Sequence, residues 1–142
     1  MNVYVDTGLI CSLYAPDAHS ALAIKRMAKV KGALPFTWLH QLEFRNALRL
    51  RVFRGEITAA QRDASLNAWL ADRASGVWAV VAPDPSAVAL EAERLSAGHA
   101  EALGGRSLDI LHVAMAVVLG VEGFWTFDHR QQALAAAVGL TE

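Results

Sequence analysis

The sequence predicts an α/β fold, a three-layer α/β/α sandwich with a mainly parallel central sheet, and three observations carry that prediction. Short apolar runs alternate with amphipathic helical stretches along the whole chain, the pattern of strand–helix–strand units. Two of those runs, Val3-Tyr4-Val5 and Phe124-Trp125-Thr126-Phe127, are each followed at once by an aspartate, Asp6 and Asp128. Crossovers between parallel strands are right-handed, which puts helices on both faces of the sheet. A length of 142 residues is the usual size of one domain and enough to bury a core, so residues 1–142 are expected to form a single domain.

After the first strand, Thr7-Gly8 is expected to turn the chain into a short helix, Leu9 to Tyr14, stopped before Pro16. Asp17 is placed to cap a helix from about His19 to Lys31, ended by Gly32, with Lys25, Arg26, Lys29 and Lys31 turned away from Leu22, Ile24 and Met27. Ala33 to Phe36 reads as a strand containing Pro35. Thr37 then caps a helix to about Phe53, closed by Gly55. Thr58 to Leu70 is amphipathic, and Val77 to Ala82 reads as the most buried strand. Pro83-Asp84-Pro85-Ser86 is helix-entry chemistry, which makes Asp84 the cap of a helix from Pro85 to Ser96. From Leu108 to Leu119 nearly every residue is apolar, so a helix there must be largely buried, and Asp109 is its only acid.

Composition excludes several classes. The formal net charge of −1 gives no bulk attraction for nucleic acid, although a local basic groove is compatible with it. The one cysteine, Cys11, sits in an apolar run and cannot form a disulfide framework or a thiolate metal site. No histidine pair has the short ligand spacing of a zinc site. The start of the chain lacks a signal-type segment and the apolar helix near 110 is too short to span a bilayer, so the expectation is a cytoplasmic protein without a membrane partner.

Asp6 and Asp128 point toward one crevice if their strands are parallel, because ligands bind beyond the carboxyl ends of such strands. Each late acid also has an ordinary reading. Asp109 suits the positive end of a helix behind Ser107, and Asp128 can cap the helix that follows it. Glu43, within Trp38-Leu39-His40-Gln41-Leu42-Glu43-Phe44-Arg45-Asn46-Ala47-Leu48, is bordered at helical spacings by Leu39, Asn46 and Ala47. It is either an inward-facing acid or a surface one.

Taken together, strand-Asp6-Thr7, the helical LEFRNAL with Glu43, SLDILHVAMA with Asp109 and TFDHRQQALAAAVGL with Asp128 resemble the PIN-domain nucleases, especially the VapC-like toxins. The resemblance covers nearly the whole chain and is strongest in its last two motifs. It implies that Asp6, Glu43, Asp109 and Asp128 are catalytic, that the aspartates bind Mg2+ or Mn2+, and that the protein hydrolyses RNA. It also implies a homodimer and a cognate antitoxin. Where the family's first motif continues with a small polar residue, this chain has Gly8, which leaves Thr7 as the hydroxyl available to substrate, with Thr126 a second.

Elementary electrostatics agrees with the resemblance, since carboxylates gathered in one crevice repel one another until a cation neutralises them. Mg2+ takes oxygen ligands, keeps several waters and often needs only one or two carboxylates. Arginines supply the RNA argument. Arg45 and Arg49 are four apart on one helix, and Arg106 and Arg130 flank the late aspartates, so all four are candidate phosphate contacts. The alternatives are a non-catalytic α/β interaction module whose acids are only caps, and an aspartyl-phosphate phosphotransfer enzyme. The second lacks its sequence signature, because Gly8 stands where a second acid is needed and all three lysines lie before residue 32.

Overall fold

A computed structural model describes residues 2–142 and shows an α/β fold whose strand pairs are all parallel. The chain divides into two compact units, Met1–Asp6 with Ala82–Glu142, and Thr7–Val81.

In the first unit, β1 (Val3–Val5) runs parallel to β4 (Gly123–Trp125) with Val3 opposite Gly123 and Val5 opposite Trp125. Gly123 lets the strands approach closely, because a Cβ there would sit 3.2 Å from Val3 Cγ2 and 3.3 Å from the Thr141 carbonyl and the neighbours would have to give by a few tenths of an ångström. Around this ladder lie α5 (Pro85–Leu103), α6 (Ser107–Leu119) and α7 (His129–Ala137). Tyr4 and Phe124, cross-strand partners, stack with ring centroids 5.5 Å apart, a pairing worth about 0.5–1.5 kcal/mol beyond area burial. Helix α6 is buried from His112 to Ala116, as its unbroken apolar run requires.

The second unit holds α1 (Thr7–Tyr14), α2 (Ser20–Met27), β2 (Leu34–Phe36), α3 (Trp38–Phe53), α4 (Ala59–Ala74) and β3 (Trp78–Val80). Strands β2 and β3 are parallel, with Leu34 opposite Trp78. Phe36, Phe44 and Trp69 form its aromatic centre, with the Phe36 and Trp69 centroids 4.5 Å apart. The Tyr14 hydroxyl donates to Asp72 at 2.6 Å and accepts from Trp78 Nε1 at 2.6 Å. Burial, then the Asp72 acceptor, push its ionisation well above the usual tyrosine range.

Several boundaries differ from the sequence reading, each for a local reason. Thr7-Gly8 begins α1 rather than turning the chain, since the end of β1 feeds directly into the helix. Helix α2 stops at Met27, well before Gly32, and Asp17 accepts from the His19 N–H and the Ser20 hydroxyl rather than standing at the N-cap position. Helix α5 continues past Ser96 to Leu103, carrying Gly98 in its interior. A mid-helix glycine costs roughly 1 kcal/mol, which the packing of α5 on α6 and the burial of Val88 and Leu95 offset. Strand β3 is three residues long and its last residue, Val80, is 51% exposed, so it is not the most buried strand. Thr126 and Phe127 lie beyond the end of β4. Among the described residues no helix is long and apolar enough to cross a membrane.

Candidate active site

The register of the first ladder decides what Asp6 touches. Val5 lies opposite Trp125, and the Asp6 N–H continues the ladder by donating to the Trp125 carbonyl at 3.0 Å. The residue after each strand therefore faces its counterpart, and the Thr126 hydroxyl donates to Asp6 Oδ2 at 2.7 Å. Asp6 is 8% exposed and Thr126 2%, so this is a charge-assisted bond in a nearly dry setting, the strong kind.

Thr126 Oγ1 also accepts from the Asp128 N–H at 3.0 Å. Asp128 turns its carboxylate onto the next helix, where Oδ1 accepts from the Gln131 N–H at 2.8 Å. That is N-cap geometry, so the ordinary reading of Asp128 describes its contacts here. The Gln131 side chain is 2% exposed, with Oε1 at 2.9 Å from Thr126 Oγ1 and Nε2 at 3.4 Å from the Asp109 carbonyl. Asp109 itself is half-buried in the first turn of α6, with Arg106 Nε 3.4 Å from Oδ2. Two residues before Asp6, the Tyr4 hydroxyl meets His112 Nδ1 at 2.7 Å, three residues after Asp109. This buried bond ties the strand that carries one acid to the helix that carries another.

In the second unit the Thr7 hydroxyl donates to Glu43 Oε1 at 2.8 Å, and Glu43 is half-buried. Thr7 thus serves Glu43, and Thr126 serves Asp6. Both are buried hydroxyls that donate to acids. Helix α3 is set in place by Thr37, whose hydroxyl accepts from the His40 N–H while His40 Nδ1 accepts from the Thr37 N–H. His40 completes a capping box that glutamate or glutamine usually completes. At roughly 100° per residue on a helix, Arg45 and Arg49 project about 120–160° around α3 from Glu43. They share a stripe with Trp38, Leu42 and Phe53, which are 58%, 58% and 86% exposed. Arg45 and Arg49 thus share one face of α3, as their spacing predicts, and it is not the face that carries Glu43. Arg51 and Arg54 are engaged by Glu56, at 3.3 and 2.8 Å. Arg106 and Arg130 are exposed.

The donors that these acids offer are hard carboxylate oxygens, which suit Mg2+ or Mn2+ in kind. Among the described residues no group of three or more His, Cys, Asp or Glu side chains is close enough to hold a metal ion. The fit is thus one of ligand type, of the sort that relies on one or two carboxylates and retained waters rather than on a closed protein cage.

No family model matches the sequence, and no curated protein matches it. A solved structure does. The toxin VapC20 of Mycobacterium tuberculosis, described as cleaving the sarcin-ricin loop, superposes with a TM-score of 0.70 over 92% of this chain and 93% of its own, at 20% identity. The chain has the PIN-like fold of a VapC toxin. At that identity the likeness is one of fold.

Sequence reading singled out the acids and missed what fixes them. Gln131, Tyr4 and the pairing of Thr126 with Asp6 carry no local signal, because each depends on register between segments more than a hundred residues apart or on burial of a polar residue in an ordinary helix start. The one available hint was Gln131 itself, an amide at the third position after an N-cap.

Proposed function

We propose that this chain is a metal-dependent endoribonuclease that hydrolyses phosphodiester bonds in RNA, and that it is the toxin of a toxin-antitoxin pair acting in the cytoplasm. The observation that carries the reading is Asp6, a buried carboxylate at the carboxyl end of a parallel strand, held by Thr126 in a fold like that of VapC20. A structural core has little use for a carboxyl group there, since burying a polar group is costly unless it serves a ligand or a partner.

In this reading Asp6, Asp109 and Asp128 bind the metal directly or through its retained waters, and Glu43 is a further catalytic acid. A bound divalent ion supplies positive charge against the phosphate oxygens and the acidity that a water nucleophile needs. Thr126 fixes the rotation of Asp6, and Thr7 does the same for Glu43. Arg106 and Arg130, exposed and next in sequence to the late acids, hold the phosphate being cut. Arg45 and Arg49, with Trp38 beside them, hold RNA further along the strand through phosphate contact and stacking. A cognate antitoxin and a homodimer complete the assembly, and the exposed Leu42 and Phe53 are apolar surface available to such partners.

The interaction-module alternative has one observation on its side, the cap geometry of Asp128. One experiment separates the two readings. A synthetic sarcin-ricin stem-loop is incubated with the protein in Mg2+ or Mn2+ and with chelator, and RNA 5′ ends are mapped in cells after brief induction. Metal-dependent cuts at defined positions support the nuclease. No cleavage of any RNA, with no metal-induced change in stability, overturns it.

A further inference from the structure

Resting on the nuclease reading above, we infer that Gln131 is a positioning residue, whose buried amide locks the Thr126 proton onto Asp6. A hydroxyl has one proton and two lone pairs. Thr126 Oγ1 lies within bonding distance of Asp6 Oδ2 at 2.7 Å, of Gln131 Oε1 at 2.9 Å and of the Asp128 N–H at 3.0 Å. It cannot donate to both Asp6 and Gln131, and the ionised carboxylate at the shorter distance is the stronger acceptor.

The amide orientation that resolves this puts Nε2 on Thr126 at 2.9 Å, in exchange for a bond to the Asp109 carbonyl that is only 3.4 Å. The two ends of an amide are interchangeable in shape, so the hydrogen-bond network decides. Thr126 then accepts from Gln131 and from Asp128, and its only remaining direction is toward Asp6. The hydroxyl rotor is locked, and with it the Asp6 carboxylate. Packing does not account for such an amide. A leucine or methionine would fill the same volume without burying a polar group at 2% exposure, and replacing both members of a buried polar pair by apolar groups is close to neutral in stability. The cap between Asp128 and the Gln131 N–H uses backbone on the donor side, so side-chain substitutions at 131 leave it in place and isolate the amide.

The test uses Gln131→Met, which keeps length and removes both hydrogen-bonding ends, and Gln131→Glu, which keeps shape but replaces the donor by an acceptor competing for the Thr126 proton. Cleavage of the sarcin-ricin stem-loop is measured for kcat and KM, and Mn2+ affinity without RNA by calorimetry. Supporting partners of this kind cost roughly ten- to a hundredfold. The expected order of kcat is wild type, then Met, then Glu, with KM for RNA within about twofold and weakened Mn2+ binding in both variants. In a Thr126→Val background the loss from either variant should largely vanish, because the route to Asp6 is already cut. A packing role predicts that Met, of similar volume and without charge, matches wild type in kcat and Mn2+ affinity, and that result overturns the inference. So does additivity of Thr126→Val with Gln131→Glu. Should Gln131→Met not fold, Gln131→Glu and the double variant carry the test alone. If the wild type cleaves no RNA, the nuclease reading fails first and this inference falls with it, whereas a cleaving wild type with unchanged variants overturns the inference only.

Discussion

The two parallel strand pairs end in polar residues that look alike in sequence and behave differently. After β2 comes Thr37, which caps α3, and after β3 comes Asp84, which caps α5. After β4 comes Asp128, which caps α7. Asp6, after β1, stands apart by its burial and by how far along the chain one of its partners lies. Helix α1 starts at the very next residue, and the Asp6 carboxylate accepts a hydroxyl from a residue 120 positions away. A polar residue after a strand is thus a cap by default in this chain. Asp6 is the buried acid, with a partner from the neighbouring strand's end, and that difference marks where chemistry is to be sought.

The largest effect is expected at Asp6. Asp6→Asn keeps the shape and the ladder bond from its backbone while removing the charge, and cleavage of the stem-loop should fall below detection. Asp109→Asn and Asp128→Asn should do the same, with unchanged or raised melting temperatures, since a neutral isostere relieves repulsion among acids. Asparagine is as good a cap as aspartate, so in Asp128→Asn any fall in activity comes from the missing charge and not from helix stability. Retained cleavage in Asp128→Asn would reduce that residue to its cap and shrink the proposed metal set to Asp6 and Asp109.

Next in size is Thr126→Val, which removes the donor to Asp6 with little change in volume. Depriving a buried group of its partner costs about 1–3 kcal/mol, read as a lower urea midpoint at constant slope, and cleavage should drop together with it. Thr126→Ser, which keeps the hydroxyl, should restore both. A valine variant of wild-type stability and activity would mean that the Thr126 bond is incidental.

How much of this was legible in the sequence follows from the range of each interaction. Thr37 and Asp84 act within three residues of themselves and local rules found them, whereas Thr58, a cap of the same range, reads in the sequence as the first residue of its helix. The acids were legible as oddities, carboxylates where apolar segments end or begin. Their supports were not, because Thr126 and Asp6 meet only once β1 and β4 are in register, and Tyr4 meets His112 only once α6 is buried beside the same strand. The end of α5 reads too early in the sequence, at Ser96, whereas the helix runs through Gly98 to Leu103 because tertiary packing carries it on. Pattern misled at β3, where an apolar run was read as burial although Val80 is half exposed.

Smaller again is the effect expected on the exposed stripe of α3. Replacing Arg45 and Arg49 together by glutamine should leave kcat nearly intact at low salt. It should also flatten the dependence of log affinity on log salt by about two units at most, one for each phosphate that is no longer gripped. Because the pair faces away from Glu43, the cleavage position should not move. An unchanged salt slope would free the stripe for a protein partner instead, with Trp38, Leu42 and Phe53 as its apolar surface.

The smallest effect belongs to Asp84, the cap without chemistry. Its Oδ2 accepts from the Ala87 N–H at 2.8 Å at the start of a helix that opens with Pro85. Asp84→Asn keeps that bond and should change neither stability nor cleavage, whereas Asp84→Ala leaves the Ala87 N–H to water and should cost about 1 kcal/mol. Cleavage by the alanine variant should stay near wild type below its melting range, because nothing in the proposed reaction passes through Asp84. If Asp84→Asn instead inactivated the protein to the same degree as Asp6→Asn, strand-end acids would contribute to the protein through general charge alone, and the distinction between a capping acid and a buried, hydroxyl-held one would carry no functional weight.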